Sequence, residues 1–127
     1  MRGQIKNIAR KQQINDFSGL RYGNITATDM DGVIDYHDRK YIFFEVKYGN
    51  AELPYGQRLC IERLVCDIGK PSICIIAEHN VSDTNKPVDV GKCKVREIYL
   101  NTEKKWRPPK RSFLVRELCD AFLKEEF

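Results

Sequence analysis

The run Ser72-Ile73-Cys74-Ile75-Ile76-Ala77 constrains this fold more than any other stretch of the chain. It is an apolar strand, read over residues 71–78, with no polar face to show to water. Such a strand is central and buried on both sides, so material must cover it above and below. A helix over residues 54–68 precedes it. Pro54 opens that helix where a missing N–H costs nothing, and Gly69 is placed to end it. Ile61, Leu64, Val65 and Ile68 form its inward stripe, and Gln57 falls on the same stripe. A last helix can be capped by Ser112, with Leu114, Leu118, Ala121 and Phe122 turned inward.

Residues 4–12 read as a short helix with Ile5, Ile8 and Ala9 on one stripe and Lys6 and Arg10 on a basic edge. Residues 15–24 are irregular, with Gly19 and Gly23 as breakers. A first strand region spans 25–36. Residues 35–40 form a polar turn into a second strand at 41–47, which makes a hairpin. A further strand covers 95–100, and residues 104–111 are a basic, proline-bearing loop. The expected fold is α/β: a mixed β-sheet flanked by helices, in the order helix, hairpin, helix, strand, strand, helix.

With 127 residues, the simplest organisation is a single domain over 1–127. Hydrophobic residues at 42% and charged residues at 31% match a water-soluble globular protein. No apolar run reaches membrane-spanning length, so no membrane partner is expected. The opening residues are basic but lead into no apolar stretch. They are not a secretory signal, and the expected location is cytoplasmic. The five cysteines contain no Cys-x-x-Cys pair, which argues for reduced thiols packed as small core residues. His37 in the hairpin turn and His79 after the apolar strand are read as solvated or structural.

The chemistry concentrates on Asp31 and on Glu45-Val46-Lys47. Strand alternation puts Tyr41, Phe43, Glu45 and Lys47 on one face and Ile42, Phe44 and Val46 on the other. If the two strands pair, Asp31 reaches the same place as Glu45. Two carboxylates can hold Mg²⁺ or Mn²⁺, and the Val46 carbonyl can add a third oxygen. Lys47 can orient an attacking water or stabilise the phosphate, and Gln57 can bond that water or the phosphate. Two plainer readings stand beside this one: Glu45 and Lys47 as a surface ion pair, and Asp31-Gly32 as a tight turn.

Asp31-Gly32-Val33-Ile34, then Phe43-Phe44-Glu45-Val46-Lys47, then Gln57 on the next helix, resembles the PD-(D/E)xK nuclease superfamily over about residues 25–78. The chain looks like its small stand-alone members: RecB-like, VRR-NUC, Holliday-junction-resolvase-like or phage-type proteins. The resemblance implies a restriction-endonuclease-like core and Mg²⁺-dependent hydrolysis of DNA, of branched or single-stranded form among the candidates. A second copy of the chain is a candidate partner. It implies Asp31 and Glu45 as metal ligands, Lys47 as the catalytic lysine and Gln57 as the helix glutamine. Met30 stands where the family often has proline, Ile61 where RecB-like members carry tyrosine, and the first helix lacks a glutamate. Asp29 is the residue available to replace that glutamate.

The net charge of +4 permits nucleic-acid binding without establishing it. Lys104, Lys105, Arg107, Lys110 and Arg111 cluster around Trp106, whose ring is a candidate platform for an unpaired base. Lys6 and Arg10 are the second basic candidates. The alternative to an enzyme is a nuclease fold that binds nucleic acid without cutting it.

Overall fold

The computed structural model describes residues 3–125. Its elements are α1 (Ile8–Gln12), β1 (Gly32–Tyr36), β2 (Lys40–Tyr48), α2 (Tyr55–Asp67), β3 (Ser72–His79), β4 (Lys94–Leu100), β5 (Trp106–Arg107) and α3 (Val115–Lys124). The strands lie in the order β1-β2-β3-β4-β5. Only β2 and β3 run parallel, as expected for strands joined through a helix, and the other pairs are antiparallel. The fold is α/β with a mixed sheet, as the residue pattern predicts.

β3 occupies the middle because every residue from Ser72 to Ala77 is buried. Its odd positions, Ile73 and Ile75, pack with Ile42, Ile98 and Leu118 toward α3. Cys74 and Ile76 pack with Phe43, Ile61 and Val65 toward α2. These isoleucines are at most 1% exposed, and burying each side chain stabilises the fold by roughly 1.5–3 kcal/mol. The β1–β2 connection is tight. His37 and Asp38 have φ of 54° and 57°, and the Arg39 N–H donates to the Tyr36 carbonyl at 3.0 Å. Paired positive φ values belong to the primed turns that match strand twist.

Several sequence expectations shift. The helix expected over 4–12 begins only at Ile8, where Asn7 Oδ1 caps the Arg10 N–H at 3.0 Å. Its apolar stripe finds no core, with Ile5 and Ile8 59% and 60% exposed. Five residues are too few to bury a face. The first strand is shorter than 25–36, and Asp31 lies just ahead of it rather than on it. Leu64 leaves the α2 stripe and is exposed. Ser112 does not cap α3. That helix starts three residues later because Val95 and Val115 use the preceding backbone for bonds between Phe113 and Val95 and between Val115 and Cys93. Leu114 is consequently exposed, while Leu118 and Phe122 are buried. All five cysteines are free, with Cys74, Cys93 and Cys119 buried.

Candidate active site

β1 stops pairing at Gly32, opposite Phe44. Two residues further along β2, the Val46 N–H points past the end of β1 and would lack a partner. Asp31 Oδ2 accepts it at 2.7 Å. In return, the Asp31 N–H donates to Glu45 Oε2 at 2.9 Å. The two acids are therefore clasped by main-chain bonds on adjacent segments. One oxygen of each is used, and among the described residues Asp31 Oδ1 and Glu45 Oε1 take no hydrogen bond. Glu45 is only 2% exposed, yet among the described residues no buried side-chain oxygen lacks a partner. Glu45 Oε1 therefore still reaches solvent. The Val46 carbonyl faces the same gap as its N–H, because both groups of an extended residue point to one side.

Burial pushes the Glu45 carboxyl above the usual carboxylate range. The Asp31 N–H pulls it back, the Asp31 charge raises it again, Lys47 opposes, and Asp29 adds to the rise. The site thus holds negative charge that a cation would relieve. Gln57, half-buried in the first turn of α2, donates from Nε2 to Asp29 Oδ1 at 3.0 Å. The bonds and charges thus link Asp31, Glu45 and Lys47 on one side and Asp29 with Gln57 beside them. Gln57 meets Asp29 directly.

Four charged side chains of this face, Arg96, Glu78, Glu97 and Arg58, escape a reading from pattern alone. The β3–β4 register shifts between Ile76 and Ala77. This bulge leaves Arg96 unpaired beside Glu97. Arg96 then reaches across to the β2–α2 loop, donating to the Ala51 carbonyl at 2.6 Å and the Gly49 carbonyl at 2.8 Å, with Glu78 at 3.4 Å. Glu97 holds Arg58 of α2 at 2.8 Å. The signal was present in Val95-Arg96-Glu97-Ile98, where two successive polar residues break strand alternation.

The basic candidates lie elsewhere. Asn101 bonds Ser72, so the turn carrying Lys104 and Lys105 sits at the start of β3, whereas Glu45 is level with Ile76. Arg107 is held by Glu103 at 2.6 Å, and Arg111 stacks over Phe113 at 3.9 Å. Lys110 is exposed. Trp106 is half-buried, with its ring 5.1 Å from Tyr99, the Arg58 guanidinium 4.8 Å from its centroid and Nε1–H bonded to Glu62 at 2.8 Å. This is a packed tryptophan, not the open platform expected for an unpaired base. Lys6 and Arg10 lie in the segment 3–29, which is exposed throughout. His79 accepts the Val81 N–H and packs on Tyr48, a structural role.

Among the described residues, no group of three or more His, Cys, Asp or Glu side chains is arranged around a metal position. The donors available are two carboxylates and a main-chain carbonyl. They fit Mg²⁺ or Mn²⁺ in kind, since hard oxygens with room for water suit these ions. Beside them, a hollow of about 460 Å³ opens on the α3 side, with Phe44, Val46, Val115 and Leu123 in its wall and Asp31 at its rim. Fold and site together define an α/β protein with a clasped acid pair at the open end of its edge hairpin. Comparison with protein-family models, with curated proteins and with solved structures finds no match. No helix among the described residues is long and apolar enough to cross a membrane.

Proposed function

We propose that this protein is a metal-dependent nuclease of the PD-(D/E)xK type that hydrolyses phosphodiester bonds in DNA. The observation that carries this reading is the reciprocal clasp between Asp31 and Glu45, which ties the two acids together beside Val46 and leaves one oxygen of each without a hydrogen bond among the described residues. Asp31, Glu45 and Val46 would hold Mg²⁺ or Mn²⁺. When bound, such an ion neutralises phosphate charge and acidifies water. Lys47, on the same strand face as Glu45, stabilises charge growing on the phosphate oxygens. Gln57 orients Asp29, and through it the entrance to the site. Of the basic candidates, Lys104, Lys105, Lys110, Lys6 and Arg10 remain to meet the DNA backbone.

The test is cleavage of end-labelled linear and branched DNA with Mg²⁺ and with EDTA. Asp31→Ala should abolish turnover. Lys47→Ala should keep metal affinity and lower the rate, by roughly 10²–10³-fold if it acts as an electrostatic stabiliser. A folded Asp31→Ala protein that cuts at the wild-type rate contradicts the assignment. The rival reading is a nuclease fold that binds DNA without cutting it. Metal binding and DNA binding with no nicking would select that rival.

A further inference from the structure

Among the described residues, the hydrogen bonds of segment 3–28 all stay within that segment. The first bond to the body of the protein is the one from Gln57 to Asp29. The segment nevertheless carries a run of large apolar side chains. Ile5, Ile8, Ile14, Phe17 and Leu20 stand between 38% and 65% exposed. Such a run gains by leaving water, and α1 already gathers Ile5, Ile8 and Ala9 on one stripe. The body holds a matching surface. The hollow between the β1–β2 hairpin and α3 has Ile34, Phe44, Val46 and Val90 in its wall, and Ile34 and Val90 are exposed. Its charged rim is Asp31, Arg116 and Asp120. Arg116 is tied to Asp120 at 3.0 Å, so Asp31 leaves the rim acidic.

We propose that segment 3–28 is a strap that folds back on this hollow and seats the Ile5–Ile8 stripe of α1 in it. Charge selects the hollow. Residues 3–15 contain Lys6, Arg10 and Lys11 and no acid, which suits a rim left acidic by Asp31. The other apolar hollow, around Ile98, Phe113 and Leu118, is bordered by Arg107, Lys110 and Arg111 and repels a basic helix. Connectivity favours the same choice. The segment joins the body at Asp29 and runs directly into Asp31 on the rim. A tether of this kind supplies an effective concentration on the order of millimolar, so even a contact of millimolar affinity holds the strap closed about half of the time. Docking stands whether or not the acid pair binds metal. Its consequence rests on the nuclease reading: the closed strap covers the α3 side of Asp31 and presents Lys6 and Arg10, on the far side of the stripe, beside the acid pair.

Disulfide trapping in the full chain tests the docking. Val90→Cys places a thiol in the wall of the hollow. Combined with it, Ile8→Cys should form an intramolecular bridge roughly fivefold faster than Ser18→Cys does. Ser18 is uncharged, lies off the stripe and stands nearer to Asp31 along the chain. A segment that only diffuses on its tether would therefore bridge at Ser18→Cys at least as fast. Peptide mapping identifies the thiol that is captured. A bridge from Ile8→Cys to Val90→Cys, or to Cys119 in the same wall, supports the strap. Capture by Cys60 or Cys66 of α2, equal or faster trapping at Ser18→Cys, or no trapping at all overturns it. Methyl NMR of the chain without added cysteines gives an independent readout. Ile5→Ser with Ile8→Ser should shift the resonances of Ile34, Val46 and Leu123 in the hollow and leave those of Ile61 and Val65 in the α2 core unmoved. Unmoved hollow methyls overturn the docking. Neither readout uses metal or DNA, so a failure of the strap is distinct from a failure of the nuclease reading.

Discussion

At the scale of single residues, Glu45 is the group with the most at stake. It is buried beside Asp31, and burial raises its carboxyl above the ordinary range. A raised carboxyl favours the folded state while it is protonated. That contribution is present below the unfolded-state value and is lost as pH rises through the folded one. Glu45→Gln should therefore raise the melting temperature at neutral pH by a few degrees, with the gain vanishing in acid. A metal ion reverses the sign. Wild type should gain roughly 2.7 kcal/mol at about a hundredfold excess of ion over Kd, and the Gln variant far less. Thermal melts across pH, with and without Mg²⁺, check both halves. The pairing of Glu45 with Lys47 on one face was legible because strand alternation is strict. The clasp itself was not legible, because it joins a side chain to the main chain of a neighbouring segment. Sequence spacing carries no record of where β1 ends.

At the scale of elements, the β-bulge in β4 decides how α2 is presented. It frees Arg96 to hold the Gly49 and Ala51 carbonyls, and so fixes the loop that leads from Lys47 to Gln57. Arg96→Ala should cost roughly 1.5–3 kcal/mol, the range for hydrogen bonds to a charged group. It should also speed amide exchange over residues 49–53. Arg96→Lys should recover only part of this, because an ammonium lacks the planar fork that spans two carbonyls. Unchanged exchange in Arg96→Ala would remove the clamp from the account. The helices α2 and α3 and the buried β3 were legible from periodicity and punctuation. The failures came where tertiary pairing overrode local signals. Ser112 is a good cap residue, but the backbone after it is committed to β4. Ile5 and Ile8 make a good stripe, but no layer lies there to receive it.

At the scale of the whole molecule, the sheet separates two regions that the sequence alone could have merged. The acid pair lies where β1 ends against β2, whereas the Lys104–Lys105 turn lies at the start of β3. Trp106 joins α2 to the far edge of the sheet through Glu62, Tyr99 and Arg58. Trp106→Ala should therefore destabilise the fold by roughly 2–3 kcal/mol, below the 3–5 of a fully buried aromatic. It should leave any preference for single-stranded over duplex DNA unchanged. A selective loss on single strands without loss of stability would restore the base-stacking role. The class of fold was legible from the apolar β3 run, since a strand without a polar face admits few layer arrangements. The placement of the basic loop was not, because it depends on which way β4 runs against β3.

The measurement that bears most directly on the central claim is Mn²⁺ binding, followed by the paramagnetic signal of the free ion, in wild type, Asp31→Ala and Lys47→Ala. The acid pair and the Val46 carbonyl as the ion's donors predict saturable binding to wild type and to Lys47→Ala. They predict a loss of at least roughly 10-fold in affinity in Asp31→Ala, with the fold intact by circular dichroism. Equal affinity in wild type and Asp31→Ala would contradict the account, because the clasp would then be only a way of ending a strand.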